Sequence, residues 1–101
     1  MFNYFPISSG LVIAEILLPE KLEGKSLIEA DFRRTYGLNV IAIRHNLEGD
    51  YVFVSPDYHL TTGDLLLLVG AEDKIAAFSD KKITQPYKKV KDKKGLFNLF
   101  K

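Results

Sequence analysis

The run LVIAEILL, from Leu11 to Leu18, constrains this chain more than any other stretch. It is almost wholly apolar and partly β-branched, follows a Ser8-Ser9-Gly10 turn and is stopped by Pro19, so it predicts a strand. Alternation puts Val12, Ala14, Ile16 and Leu18 on one face and Leu11, Ile13 and Leu17 on the other, interrupted by Glu15. A strand that is greasy on both faces needs cover on both, a helix on one side and often a partner subunit on the other. LLLLV at 65–69 repeats the demand: it leaves the Thr62-Gly63-Asp64 turn as a fully buried strand and ends at Gly70.

Between the two runs, Ser26-Leu27-Ile28-Glu29 is a capping box, in which hydroxyl and carboxylate satisfy orphan amides of a first helical turn. Ile28, Phe32 and Tyr36 follow at four-residue spacing as a buried stripe, and Gly37 stands where a left-handed C-cap is wanted, so about three turns of helix are expected. Leu38–Arg44 reads as a second strand, Asn46–Asp50 as a turn and Tyr51–Val54 as a third strand, broken by Ser55-Pro56-Asp57. A short helix from Glu72 to about Asp80 turns Ile75, Ala76 and Phe78 inward, with acids in its first turn and lysines at its end. The predicted order is β-α-β-β-β-α: an α+β domain with a small mixed sheet and helices packed on it.

With 101 residues, 47% of them hydrophobic, the chain suffices for one core without metal or disulfide. It has no cysteine, which excludes a thiolate metal site and a cysteine nucleophile. No apolar stretch reaches the roughly 20 residues of a membrane span, and the start lacks the pattern of a signal peptide, so a soluble cytoplasmic chain is expected. Charge is split: residues 1–80 carry six Lys/Arg against twelve Asp/Glu, whereas 81–101 carry eight lysines against Asp92 alone. An acidic body argues against nucleic-acid binding, which needs a basic face. The boundaries expected are 1–8 as linker, 9–80 as the domain and 81–101 as a basic, flexible tail. Leu96, Phe97, Leu99 and Phe100 beside the lysines suit contact with a membrane surface or a partner.

Sites for chemistry are not legible. Gly24-Lys25-Ser26 resembles the end of a phosphate-binding loop, but the glycine required five residues earlier is Pro19. His45 and His59 lack the spacing to carboxylates of a metal site and read as surface or interface residues; no metal and no catalytic residue is expected.

With the turns placed, the chain resembles the TrkA-C (RCK C-terminal) family over about Ser9 to Asp80. The matching pieces are Val12 to Pro19 with Gly24-Lys25-Ser26-Leu27, Tyr36 to Arg44, Ser55-Pro56, and Leu60-Thr61-Thr62-Gly63-Asp64-Leu65-Leu66. The resemblance implies a homodimer without enzymatic activity that reports ligand occupancy to RCK N-terminal domains on a membrane potassium or cation transporter, peripheral to the inner face of the membrane. Phe2-Asn3-Tyr4-Phe5 looks like the junction after such an N-terminal domain. One branch of the family binds cyclic di-AMP across the dimer twofold through two apolar residues, Asp, Arg, Asn and a further apolar residue at fixed spacing. Leu27, Ile28, Asp31, Arg33, Asn39 and Val40 keep that register, and Pro56 falls near where the branch presents a proline to adenine. The resemblance thus implies cyclic di-AMP as regulatory ligand and no other cofactor. Read as residue types alone, the same positions also fit a surface Asp31–Arg34 pair, a solvated Arg33 and a turn at Asn39, in an interaction module with no nucleotide of its own.

Overall fold

The structure, a computed structural model, describes residues 4–79. Its spine is the pair of apolar runs: β2 (Leu11–Leu17) and β4 (Leu65–Ala71) lie antiparallel in unbroken register from Leu11 opposite Ala71 to Leu17 opposite Leu65. On the outer side of β2 lies β1 (Tyr4–Ser8), joined to it by a tight turn in which Gly10 takes a φ of +76°. On the outer side of β4 lies β3 (Asn39–Arg44), giving the order β1-β2-β4-β3 with every pairing antiparallel.

One face of this sheet is covered. Val12, Ala14 and Ile16 meet Leu66 and Leu68 there, and Ile75 and Phe78 of the closing helix α3 (Glu72–Ser79) pack against them with Phe32 and Leu38. Three aromatic rings lock the contact: Phe78 lies 5.6 Å from Phe32 and 4.9 Å, edge to face, from Tyr36. Gly70 is needed at this junction, since a Cβ on it would stand 2.4 Å from Leu38 Cδ2 and 3.3 Å from the Gly37 carbonyl oxygen.

The α+β class and the two-faced central strands are as expected; Ile28 of the expected buried stripe is instead 65% exposed and Ala76 is exposed on α3, and four further details differ. The sheet is antiparallel throughout, because β1, β2 and β4 follow one another across it with reversed directions. Tyr4–Ser8, read as linker, is an edge strand; Pro6 is tolerated in it because an edge leaves one row of backbone groups unpaired. Tyr51–Val54 forms no strand but one bridge, Val52 exchanging both backbone hydrogen bonds with Ile43 at 2.9 and 3.0 Å. Phe53, 86% exposed, has nothing to pack on.

The helix expected from Ser26 to Tyr36 is two short ones, α1 (Leu27–Ala30) and α2 (Phe32–Tyr36). Asp31 between them is left-handed at φ 48°, ψ 60°, capping α1 with its amide and accepting the Arg34 amide at 3.4 Å with its carboxylate. Asp reaches this conformation at smaller cost than most residues because its side chain bonds locally. The capping box forms as read, Glu29 N–H donating to Ser26 Oγ and Ser26 N–H to Glu29 Oε1, and Gly37 ends α2 at φ +71°. The basic tail, with its suggested membrane or partner contact and the lysines after α3, lies outside the described residues.

Candidate functional site

Where α1, the Asp31 break and α2 lean over the start of β3, they enclose an open recess of about 370 Å³. It is lined by Leu27, Ile28, Asp31, Phe32, Arg33, Leu38, Asn39 and Val40. Six of the seven residues singled out in the sequence therefore share one cavity. Pro56 is not in its wall but adjoins it, its carbonyl accepting the Ile28 amide at 3.1 Å. Phe32 and Leu38 form a buried floor that the ligand pattern did not name. Phe32 was already marked by its place on the helical stripe.

The break at Asp31 decides which charge is available. Its carboxylate pairs with Arg34 at 3.3 Å, as an i,i+3 surface pair, while Arg33 has no ion-pair partner among the described residues. The helix N-terminus offers nothing to an anion, because its first amides are already occupied. Leu27 N–H donates to the Tyr58 carbonyl at 3.2 Å, Ile28 N–H to that of Pro56, and Glu29 N–H to Ser26 Oγ. Arg33 is thus the group in the recess suited to a phosphate, and Asn39 the one with both donor and acceptor. The Ser26 amide holds the Glu29 carboxyl below its ordinary value, so that acid stays charged beside the recess.

A bulge sets the strand side. Val40 pairs with Leu68 but Ala42 with Leu67, so Ile41 is the extra residue, and the pairing of Asn39 with Val69 turns Asn39 to the sheet face opposite α3. That second face carries Phe5, Leu11, Ile13, Leu17, Leu67 and Val69, with Phe5, Leu11 and Leu17 exposed. At its centre Glu15 is buried and engaged: Arg44 Nε and Nη2 donate to it at 2.9 and 2.6 Å, and the Tyr51 hydroxyl also donates to it. Burial and this carboxylate push the Tyr51 hydroxyl up to about 12. The bond to Glu15 likewise raises Arg44.

His45 is more than a surface residue. Its Nδ1 lies 2.9 Å from Oδ1 of Asp64, whose other oxygen accepts the Tyr58 hydroxyl at 2.7 Å and the Thr61 amide at 3.0 Å. Only the Asp64 turn was legible in sequence; its partners come from 19 and 6 residues away. Among the described residues no cluster of His, Asp or Glu is arranged for a metal, and no helix is long and apolar enough to cross a membrane.

A family model described as the TrkA-C domain matches residues 11–82. The chain belongs to the TrkA-C domain family. This TrkA-C domain is 31% identical over 81 residues to Ktr system potassium uptake protein A of Bacillus subtilis (strain 168), covering 79% of this chain and 36% of that protein. It therefore spans about a third of the length of that relative. It is also 46% identical over 63 residues to the uncharacterized transporter YfbS of Escherichia coli (strain K12), covering 57% of this chain and 10% of the other. Among solved structures, the RCK C domain of potassium transport protein KtrA in complex with cyclic diadenosine monophosphate superposes with a TM-score of 0.59 at 32% identity. That match covers 66% of this chain and 78% of that one.

Proposed function

We propose that this TrkA-C domain is the ligand-sensing regulatory part of a potassium or other monovalent-cation transport system, and that it dimerises and binds cyclic di-AMP at the dimer interface. The observation that carries the reading is the shared cavity: Leu27, Ile28, Asp31, Arg33, Asn39 and Val40, dispersed over fourteen positions, line one recess. The related KtrA domain in complex with this ligand supports the choice of nucleotide. Arg33 presents its guanidinium fork to a phosphate, and Asn39 bonds base or ribose. Leu27, Ile28, Val40 and Pro56 flank an adenine with apolar surface. One recess is an open half-site. A ligand with twofold symmetry takes the same half-site from each of two chains, and the exposed sheet face that carries Asn39 is the surface on which a second copy seats.

The output is mechanical. Occupancy fixes the relative placement of two domains, and an RCK N-terminal domain passes that geometry to a membrane transporter at the cytoplasmic side, with no bond made or broken. Calorimetry on the 101-residue chain tests the reading. Cyclic di-AMP binds with one ligand per two chains; folded by circular dichroism, Arg33→Ala loses at least roughly tenfold in affinity, the cost of one charge-assisted hydrogen bond, and Asn39→Ala up to roughly tenfold, the cost of a neutral one. A wild type that binds nothing at tens of micromolar ligand removes the nucleotide from the proposal. The exposed face of Phe5, Leu11 and Leu17 favours a second reading, an interaction module that dimerises without a ligand of its own. A dimer in light scattering together with silent calorimetry selects it.

A further inference from the structure

Segment 55–60, which belongs to no helix or strand, adjoins the recess at Pro56 and is tied by backbone hydrogen bonds to α1 and to the residues just before it. Leu27 and Ile28 donate to the carbonyls of Tyr58 and Pro56, Gly24 donates to that of Leu60 at 2.8 Å, and Leu60 donates back to Lys25 at 2.9 Å. Its end is seated in the core by Leu60, 1% exposed, and a second anchor holds its middle. That anchor is a side chain, Tyr58, whose hydroxyl donates to Asp64 Oδ2 at 2.7 Å and lies 3.3 Å from His45 Nδ1. Asp64 is fixed: it is 1% exposed, its amide donates to Thr61, and its carbonyl accepts the Leu18 amide at 2.9 Å, tying the turn to the end of β2. His45 directly follows β3, the strand whose other end presents Asn39.

We infer that His45, Asp64 and Tyr58 are positioning residues for the nucleotide half-site, a clamp that joins the strand carrying Asn39 to the segment carrying Pro56. The inference rests on the ligand reading above for its consequence, and on geometry alone for the clamp itself. None of the three lines the recess. They act through the segment, by setting the distance between Pro56 beside the recess and Asn39 within it. A buried carboxylate suits the task because it accepts from His45, from the Tyr58 hydroxyl and from the Thr61 amide at once, and bonds to a charged group are stronger than neutral ones. Burial and Asp64 raise the pKa of the Tyr58 hydroxyl, which keeps the donor protonated.

Two measurements on the full chain test the clamp, using Tyr58→Phe and, as the milder change, His45→Gln, whose amide still donates to Asp64. In the absence of ligand, hydrogen exchange at the Leu27, Ile28 and Leu60 amides accelerates roughly tenfold in Tyr58→Phe and less in His45→Gln, while Leu66 and Leu68 in β4 keep their protection. With cyclic di-AMP as titrant, affinity falls roughly tenfold for Tyr58→Phe and is largely retained in His45→Gln. Exchange that rises uniformly across β4 and the segment, or not at all, overturns the clamp. Normal cyclic di-AMP affinity in Tyr58→Phe overturns its role in the site. A wild type that binds no cyclic di-AMP refutes the ligand reading instead, and the exchange result still decides whether the clamp exists.

Discussion

Gly70→Ala tests the joint between sheet and recess. The added Cβ lands 2.4 Å from Leu38 Cδ2, where carbon atoms rest at about 3.5–4.0 Å, so one of them must move by more than about 1 Å. A surface side chain would swing away; Leu38 is 0% exposed and sits in the core, with the Gly37 carbonyl oxygen 3.3 Å from the same Cβ. Overpacking of this kind costs about 1–3 kcal/mol. For a domain of this size each kcal/mol lowers Tm by about 4–8 °C, so calorimetric unfolding of Gly70→Ala shifts down by about 10 °C. Leu38→Ala removes the clashing methyl at its own cost of about 2–5 kcal/mol, and in that background Gly70→Ala becomes nearly free. The cycle therefore yields a favourable coupling of about 1–3 kcal/mol in urea denaturation. Additivity within about 0.5 kcal/mol would refute the argument that these two positions compete for one volume. Because Leu38 floors the recess, the proposed binding of cyclic di-AMP is expected to weaken in the single variant as well, which the same calorimetric titration checks.

Two further expectations concern ionisation and capping. Tyr51 titrates near pH 12, above the ordinary tyrosine value of 10; since its folded pKa is raised, its stabilisation is complete below about pH 10 and is lost as pH climbs towards 12. Ultraviolet titration shows a tyrosine ionising near pH 12 that Tyr51→Phe removes while the raised Tyr58 remains; if Tyr51→Phe leaves the late-ionising amplitude unchanged, the buried bond to Glu15 is not present in solution. Ser26→Ala destabilises the domain by about 1 kcal/mol through the lost cap yet retains the backbone amide that depresses Glu29. Stability that depends on Glu29 exists above its ordinary value and drains as pH falls through the lowered one, so the acid limb of a stability–pH curve persists in Ser26→Ala and flattens in Glu29→Gln. Identical acid limbs in both variants would contradict this division of labour.

Much of this was legible because the signals are local. The capping box from Ser26 to Glu29, the glycine C-cap at Gly37 and the two apolar strands each lie within a few residues and obey period and spacing rules. The break at Asp31 was not, since the stripe Ile28, Phe32, Tyr36 fits one continuous helix as well as two; what divides it is a left-handed Asp, which sequence does not distinguish from a right-handed one. Tyr51–Val54 had strand composition but no second neighbour, as β3 ends the sheet and offers it one bridge only. Tyr4–Ser8 carried the opposite ambiguity, with Pro6 arguing against a strand that an edge position permits. The six recess residues were named through the ligand pattern that the family resemblance implies, while the clamp at His45, Tyr58 and Asp64 stayed hidden because its members meet only when β3 and segment 55–60 are folded together.

Glu15, the one polar residue in the run that most constrains the fold, resolves the tension that run created. A carboxylate on an apolar sheet face would resist burial under a second subunit, because an unpaired charge taken from water costs several kcal/mol. Here Arg44 and Tyr51 already satisfy it within the same chain, and Arg44 Nη1 is occupied in turn by the Leu47 carbonyl at 2.6 Å. The face around it can then be covered without stranding a charge. The residue that interrupts the apolar strand is thus no obstacle to covering that face, which is what the proposed half-site needs if two copies of Asn39 are to face one symmetric ligand.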